Sequence, residues 1–215
     1  MPLKIDIFIF NPIQENTYVV SDEEKNAVII DPGCYTREEK NTLTDFITHS
    51  GLKVLALLNT HCHIDHILGN AFIKNKFNVP FYMHEKDLPT LRAVSSYAHL
   101  YGFDAYEESP EPDHFIKDNE ILNFGNIRLK IIFGPGHAPG HVAFYNEKDK
   151  ILIGGDILFR GSFGRVDLPG GDIEILKKTI HERLFTLPEE TIVYPGHGLE
   201  TTIKEEKQTN YILQF

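Results

Sequence analysis

The chain has 215 residues, 41% of them hydrophobic and 24% charged, which is typical of a globular protein with one sizeable core and predicts a single domain over residues 1–215. Its net charge of −10 disfavours a nucleic-acid partner, because binding to phosphates requires a basic face. The longest apolar runs are only as long as a strand, so we expect no membrane partner.

The N-terminal residues resemble a strand and not an export signal. The run MPLKIDIFIFNP alternates polar and apolar residues, and it lacks the uninterrupted apolar stretch and small-residue cleavage site of a signal peptide. The two cysteines, Cys34 and Cys62, form no disulfide framework. These features predict a cytoplasmic protein.

The first half of the chain predicts a group of strands followed by helices. Alternating apolar residues mark the strands, and a capping box starts the first helix. In chain order we predict three strands within 3–31, a helix from Thr36 that ends before Gly51, a strand at 52–59, a helix at 65–77, a strand at 78–84 and a helix at 85–103.

The second half repeats this organisation. We predict a surface loop at 104–118, four strands within 120–156, a helix from Asp172 to near Pro188, a strand at 191–195 and a helix introduced by Thr202. Two groups of strands, each with helices, indicate two sheets that pack face to face with helices outside. The predicted fold is therefore of the α+β class, a four-layer αββα sandwich.

Four of the predicted strands run directly into side chains that bind metals. Strand ends at one edge of a sheet present their side chains to a shared cleft. The residues of this kind are His61, His63, Asp65, His66, His137, Asp156 and His197. A single catalytic zinc needs only three protein ligands, so this set suits two divalent ions that share a carboxylate. Zinc is the first expectation, with iron and manganese as alternatives.

The densest part of this set is the run from Thr60 to His66, THCHIDH. His61 and His63 are two apart in an extended segment and point to the same side. A motif of this form arises by chance about 10⁻³ of the time in a chain of this size. Any one buried histidine could merely satisfy hydrogen bonds, but that explanation does not suit the whole set. Cys62 alternates away from its neighbours and is predicted to be packed.

Four motifs together resemble the metallo-β-lactamase superfamily over nearly the whole chain. They are THxHxDH at 60–66, PGH at 135–137, GGD at 154–156 and PGHG at 195–198. The resemblance implies one metal on His61, His63 and His137, a second on Asp65, His66 and His197, and Asp156 bridging the two.

The same resemblance implies supporting residues around the ligands. It places Asp31, in the run IIDPG, beside the site without binding metal, although an Asp here also suits a simple turn. His141, at the start of a predicted strand, is expected to hydrogen-bond to a ligand.

Within the superfamily, the loop from Gly161 to Asp172 resembles short, single-domain members of the glyoxalase II group, which hydrolyse hydroxyacylglutathione-type thioesters. The resemblance implies that Arg165 contacts the glutathione moiety, with a surface salt bridge as the alternative. Asp167 departs from the tyrosine of that enzyme, and only one helix follows the last predicted strand where larger enzymes have a helical domain. Recognition of glutathione therefore stays open.

The resulting expectation is a metal-dependent hydrolase whose partner is a small-molecule acyl thioester. Asp65 and Asp156 are the expected catalytic residues, since each would bind metal beside the attacking water. Tyr97–Phe103 and the loop 157–171 are candidate substrate walls, unless the aromatic residues belong to the core.

Three alternatives compete with this hydrolase. A mononuclear iron persulfide dioxygenase would share a ligand set of His61, His63, His137 and Asp156. A β-lactamase is disfavoured by the lack of an export signal. A non-catalytic metal-binding scaffold would be expected to have lost ligands, and no ligand is missing.

Overall fold

The first sheet has six strands, which lie side by side in chain order. The computed structural model describes all of residues 1–215. The strands of this sheet are β1 (Lys4–Phe10), β2 (Glu15–Ser21), β3 (Asn26–Ile30), β4 (Lys53–Leu58), β5 (Phe81–His84) and β6 (His114–Ile116). Strands β1 to β3 are antiparallel, and β3 to β6 run parallel to one another.

The second sheet also has six strands, and a separate two-stranded hairpin lies beside it. Its first four strands are β7 (Ile121–Phe124), β8 (Ile127–Phe133), β9 (Val142–Asn146) and β10 (Ile151–Gly155). The hairpin consists of β11 (Leu158–Phe159) and β12 (Ser162–Phe163), and the sheet is completed by β13 (Ile192–Pro195) and β14 (Thr201–Thr202). The strand order is β14-β13-β10-β9-β8-β7.

Six α-helices accompany the sheets. They are α1 (Arg37–His49), α2 (Ile64–Ile67), α3 (Asn70–Phe77), α4 (Leu88–Tyr97), α5 (Ile173–Thr179) and α6 (Ile203–Thr209). The predicted capping box is confirmed, because the Thr36 side chain accepts from the Glu39 amide and the Glu39 side chain accepts from the Thr36 amide. None of the helices has both the length and the apolar character needed to cross a bilayer.

The core lies in three layers, which confirms the αββα sandwich. Strand β2 shows why: Tyr18 and Val20 face the second sheet, whereas Val19 faces the helices on the other side. Between the sheets, Tyr18 shares a cluster with Phe144 of β9, and a third cluster around Leu176 packs α5 against the outside of the second sheet. A strand that is buried on both faces requires a layer on each side.

Two sequence predictions about individual elements are wrong. The helix predicted at 65–77 is two helices, because the chain breaks at Gly69 to place its backbone amide 2.7 Å from the Pro32 carbonyl oxygen. A side chain at Gly69 would collide with Cys34 and Pro32. The loop predicted at 104–118 contains β6, whose three residues pair with β5 and are too short to show a periodicity.

Candidate metal centre

The structure brings all seven predicted metal-binding side chains to one edge of the sandwich. His61 and His63 follow β4, and Asp65 and His66 lie on α2; His137, Asp156 and His197 follow β8, β10 and β13. Strands β8, β10 and β13 point the same way, so their carboxyl ends meet at that edge. The parallel strands thereby bring together side chains that are distant in the sequence.

His61, His63 and His137 form the first trio. Nδ1 of His63 lies 2.8 Å from Nε2 of His137, which lies 3.2 Å from Nε2 of His61. One nitrogen from each ring lies within 4.8 Å of the others. Three imidazole nitrogens thus face a common point.

Asp65, His66 and His197 form the second trio. Oδ2 of Asp65 lies 3.1 Å from Nε2 of His197 and 3.6 Å from Nε2 of His66. The backbone makes this possible because α2 starts immediately after His63, which turns Asp65 and His66 away from the direction of β4. The second trio therefore shares no residue with the first.

Asp156 lies between the two trios. Its Oδ2 is 3.5 Å from Nε2 of His137, in the first trio, and 3.6 Å from Nε2 of His197, in the second. Its Oδ1 is 3.6 Å from Nε2 of His66. One carboxylate thus faces both halves of the cluster.

The cluster suits two divalent metal ions. Ligand atoms on a tetrahedral zinc, with bonds of 2.0–2.1 Å, lie roughly 3.3 Å apart, and most of the separations above are close to this. Nε2 of His66 and Oδ1 of Asp156 are buried and hydrogen-bond to no other group. Buried polar atoms without a partner are costly unless they bind an ion, so their placement fits metal ligands.

The electrostatics of the cluster favour a cation. Burial, together with His137, lowers the pKa of His63 to about 3, so this ring is neutral and its nitrogen is free to bind a metal. Burial would also lower the pKa of His66, but Asp65 and Asp156 raise it well above its usual value. The two carboxylates therefore stabilise positive charge at the second trio.

Asp31 supports the metal centre through hydrogen bonds to Thr60 and His66. It accepts hydrogen bonds from the amide of Thr60 (2.7 Å) and from the hydroxyl of Thr60 (2.5 Å), and Nδ1 of His66 donates to it at 3.2 Å. Thr60 directly precedes His61. Asp31 thereby fixes the backbone of the histidine motif and the ring of His66 together.

Backbone groups orient other histidines of the cluster. Nδ1 of His137 donates to the carbonyl oxygen of Arg165 at 2.7 Å, and Nδ1 of His197 donates to that of Gln14 at 3.2 Å. The amide of Asp156 donates to Nε2 of His141 at 2.9 Å. His141 therefore accepts at Nε2 and fixes the backbone that carries Asp156.

Two buried carboxylates at the centre were missed by the sequence analysis. Asp87 accepts from the amides of Cys62 (2.7 Å) and Gly140 (2.8 Å), which joins the loops leading to His63 and His141, and burial raises its pKa to about 6. In the sequence, Asp87 lies near the start of the helix predicted at 85–103, and nothing there marks it as part of a metal centre.

Glu15 is the second of these carboxylates. It is fully buried, accepts from the Thr17 hydroxyl at 2.9 Å, and lies 3.9 Å from Nδ1 of His66. Burial raises its pKa well above the usual value. The sequence gives no clear signal for it, because Glu15 is followed by two further polar residues, Asn16 and Thr17, at the start of β2.

The residues predicted to contact the substrate lie at the rim of the metal centre. The exposed guanidinium of Arg165 makes a two-point ion pair with Asp167, at 2.7 and 2.6 Å. In the aromatic segment, Tyr101 is exposed whereas Phe103 belongs to the core. Cys62 is buried against Met83 and is turned away from the cluster, as expected.

The sequence pattern described as the Metallo-beta-lactamase superfamily matches residues 10–197. The chain belongs to this superfamily.

Among relatives, it is similar to the hydroxyacylglutathione hydrolase GloC of Haemophilus influenzae, with 34% identity over 98% of each chain. Among solved structures, it resembles the BLEG-1 B3 metallo-β-lactamase, with 36% identity, a TM-score of 0.89 and coverage of 99% of this chain and 100% of that one. It also resembles TTHA1623 in a di-iron-bound form, with 38% identity, a TM-score of 0.86 and coverage of 96% and 98%. With its cluster of metal-binding side chains, this member of the superfamily is a metal-dependent hydrolase.

Proposed function

We propose that the protein is a binuclear metal-dependent thioesterase that hydrolyses substrates of the hydroxyacylglutathione type. The observation that carries the binuclear part is the position of Asp156, within 3.6 Å of His66, His137 and His197. The 34% identity to the GloC hydrolase over nearly the full chain supports the substrate class.

In this proposal the ligands divide between two ions, with zinc as the first candidate. His61, His63 and His137 would hold one ion and Asp65, His66 and His197 the other, with Asp156 facing both groups. Such ions, when bound, would lower the pKa of a coordinated water and polarise the carbonyl of the substrate.

The protein residues contribute orientation and charge. Asp65 and Asp156 act as the catalytic carboxylates. Asp65 is held by His197 and orients the attacking water. Asp156 fixes the position of one trio relative to the other. Asp31 holds the ring of His66, and His141 holds the backbone that carries Asp156. The leaving thiolate has an ordinary pKa of about 8.5, so it needs little help from an acid.

Arg165 is the proposed contact for a carboxylate on the thiol portion of the substrate. Its backbone carbonyl oxygen already touches His137, so its side chain begins at the edge of the centre. The pair with Asp167 is exposed, and such pairs contribute little to stability because water screens both charges. A substrate carboxylate can therefore displace Asp167.

The test combines metal analysis with a substrate screen. Protein purified without added metal is assayed for bound metal per chain, and then for hydrolysis of S-lactoylglutathione, other acyl thioesters and a β-lactam. Two metals with thioester turnover support the proposal. One iron with oxygen uptake on a persulfide, or turnover of the β-lactam alone, would replace it.

A further inference from the structure

The β11–β12 hairpin contacts both halves of the metal centre. On one side, the ring of Phe159 packs edge-on against the ring of His197, with centroids 6.1 Å apart. On the other side, the chain leaves the hairpin through Gly164, where a Cβ would collide with His137 and with the carbonyl oxygen of Asp156. The next residue, Arg165, accepts from Nδ1 of His137. One short segment thus contacts a histidine of each trio.

The hairpin itself is held by the end of α6 and the residues that follow it. The Asn210 side chain donates from Nδ2 to the carbonyl oxygens of Phe159 (3.2 Å) and Ser162 (2.8 Å). Glu206 accepts from the amide of Gly161 at 2.8 Å. The amide of Tyr211 donates to the Gly161 carbonyl oxygen at 3.2 Å. These bonds fix the backbone at both strands and at the turn.

Glu206 and Asn210 form a closed polar network beneath the hairpin. Both are essentially fully buried. Glu206 also accepts from the Thr201 hydroxyl (2.5 Å) and from Nδ2 of Asn210 (2.6 Å), and Oδ1 of Asn210 accepts from the amide of Ile212 (2.9 Å). A buried network in which every polar group has a partner is rigid, because any movement leaves a group unpaired.

An aromatic contact covers the network from outside. The ring of Phe163 in β12 stacks on the ring of Tyr211, with centroids 6.3 Å apart and planes inclined by 7°. Phe215 closes the group edge-on against Phe163 at 5.6 Å. We call Glu206, Asn210 and Tyr211 the hairpin clamp.

We propose that the hairpin clamp positions the metal centre. Asn210 and Glu206 fix the hairpin, and the hairpin in turn fixes His137 and His197, one histidine from each trio. This inference rests on the proposed binuclear function. Neither Asn210 nor Glu206 is a catalytic residue, because each acts through the hairpin backbone.

The decisive variant is Asn210→Ala, which removes both side-chain hydrogen bonds to the hairpin carbonyls. We expect metal binding to weaken by about 10-fold. Loss of a residue that hydrogen-bonds directly to a metal ligand costs 10–100-fold in affinity, and Asn210 acts on the ligands only through the hairpin backbone. The readout is competition with a chelator of known affinity. Hydrogen exchange of the amides in 158–165 is expected to accelerate in the metal-free protein.

Asn146→Ala is the matched control. Asn146 is also a buried asparagine; it donates to the Arg128 carbonyl oxygen (2.9 Å) and accepts from the Asp149 amide (2.7 Å), but it lies at the end of β9 remote from His141. This variant loses the two hydrogen bonds of another buried asparagine side chain and should keep the metal affinity of the parent.

The outcomes separate this inference from the proposed function. If the parent protein fails to bind two metals, the proposed function fails. If the parent binds two metals and Asn210→Ala binds them as tightly, or loses no more affinity than Asn146→Ala, the clamp has no positioning role. Should Asn210→Ala not fold, Tyr211→Ala decides, since it removes the ring contacts with Phe163 and Phe215 and leaves the buried network intact. Weaker metal binding, by about 3-fold, with faster exchange in the hairpin supports the clamp, and unchanged values overturn it.

Discussion

The backbone amide of Asp156 donates to Nε2 of His141 across 2.9 Å, inside a wholly buried environment. His141→Leu leaves that amide without an acceptor, and a buried donor without a partner costs about 1–3 kcal/mol. We expect the free energy of unfolding of the metal-free protein to fall by this amount in urea. His99→Leu, at an exposed position where the ring makes no hydrogen bond, should change it by less than about 0.5 kcal/mol. Equal effects of the two substitutions would show that His141 does not support Asp156.

Asp87 joins two loops that approach the centre from different parts of the chain. In Asp87→Ala the buried amides of Cys62 and Gly140 both lose their acceptor, so we expect the protein to be destabilised by roughly 2–5 kcal/mol. Metal binding should weaken as well, because Cys62 lies between two of the proposed ligands. Asp104→Ala, at an exposed position, is the control. A folded Asp87→Ala variant with the parent's metal affinity would contradict the prediction.

The two trios should respond differently to loss of a ligand. His197 belongs to the second trio, so His197→Ala should leave the first trio able to bind metal and reduce the stoichiometry from two metals to one. Asp156→Ala should weaken both. Turnover should fall about 100-fold or more in each case, since even indirect partners of metal ligands are worth 10–100-fold. Metal content by mass spectrometry with parallel kinetics checks this, and two tightly bound metals in His197→Ala would refute the division into two sites.

Asp22 provides a test of pH dependence away from the metals. It links the β2–β3 turn to the β7–β8 turn, because it accepts from Asn26 and from the amide of Asn126. Burial would raise the pKa of Asp22, but these hydrogen bonds, with one from the amide of Glu24, lower it below the usual 3.8. The unfolded state therefore binds more protons in acid, so this stabilisation is complete above pH about 4 and is lost as the pH falls through the lowered pKa.

We accordingly expect Asp22→Asn to lower the free energy of unfolding by about 1–3 kcal/mol at pH 7. The difference from the parent should shrink below pH about 4, where the parent loses the same charge. Denaturant unfolding at a series of pH values measures it. A difference that does not change with pH would show that the ionised form of Asp22 is not what stabilises the link.

Much of the fold could be predicted from the sequence because the informative patterns are local. The capping box at Thr36 depends on residues within one helical turn, and the alternating strands show their buried faces directly. The ligand cluster was predictable because THCHIDH concentrates four of its members, with the other three after apolar strands. The rest depends on contacts between distant segments. No local pattern predicts that Asp87 accepts a hydrogen bond from the amide of Gly140, 53 residues away, or that the amide of Gly69 donates to the carbonyl oxygen of Pro32.

The centre also depends on a closure between two distant segments of the chain. The Asn16 side chain donates to the carbonyl oxygens of Pro195 (3.0 Å) and Gly198 (2.9 Å), across 179 and 182 residues. Contacts of such long range form late in folding, because the intervening chain must first be ordered. During synthesis, His137 completes the side chains of the first trio well before His197 completes those of the second. The carbonyl oxygen of Arg165, which orients His137, also emerges after that histidine, so neither trio has all of its supports until the last part of the chain has been made.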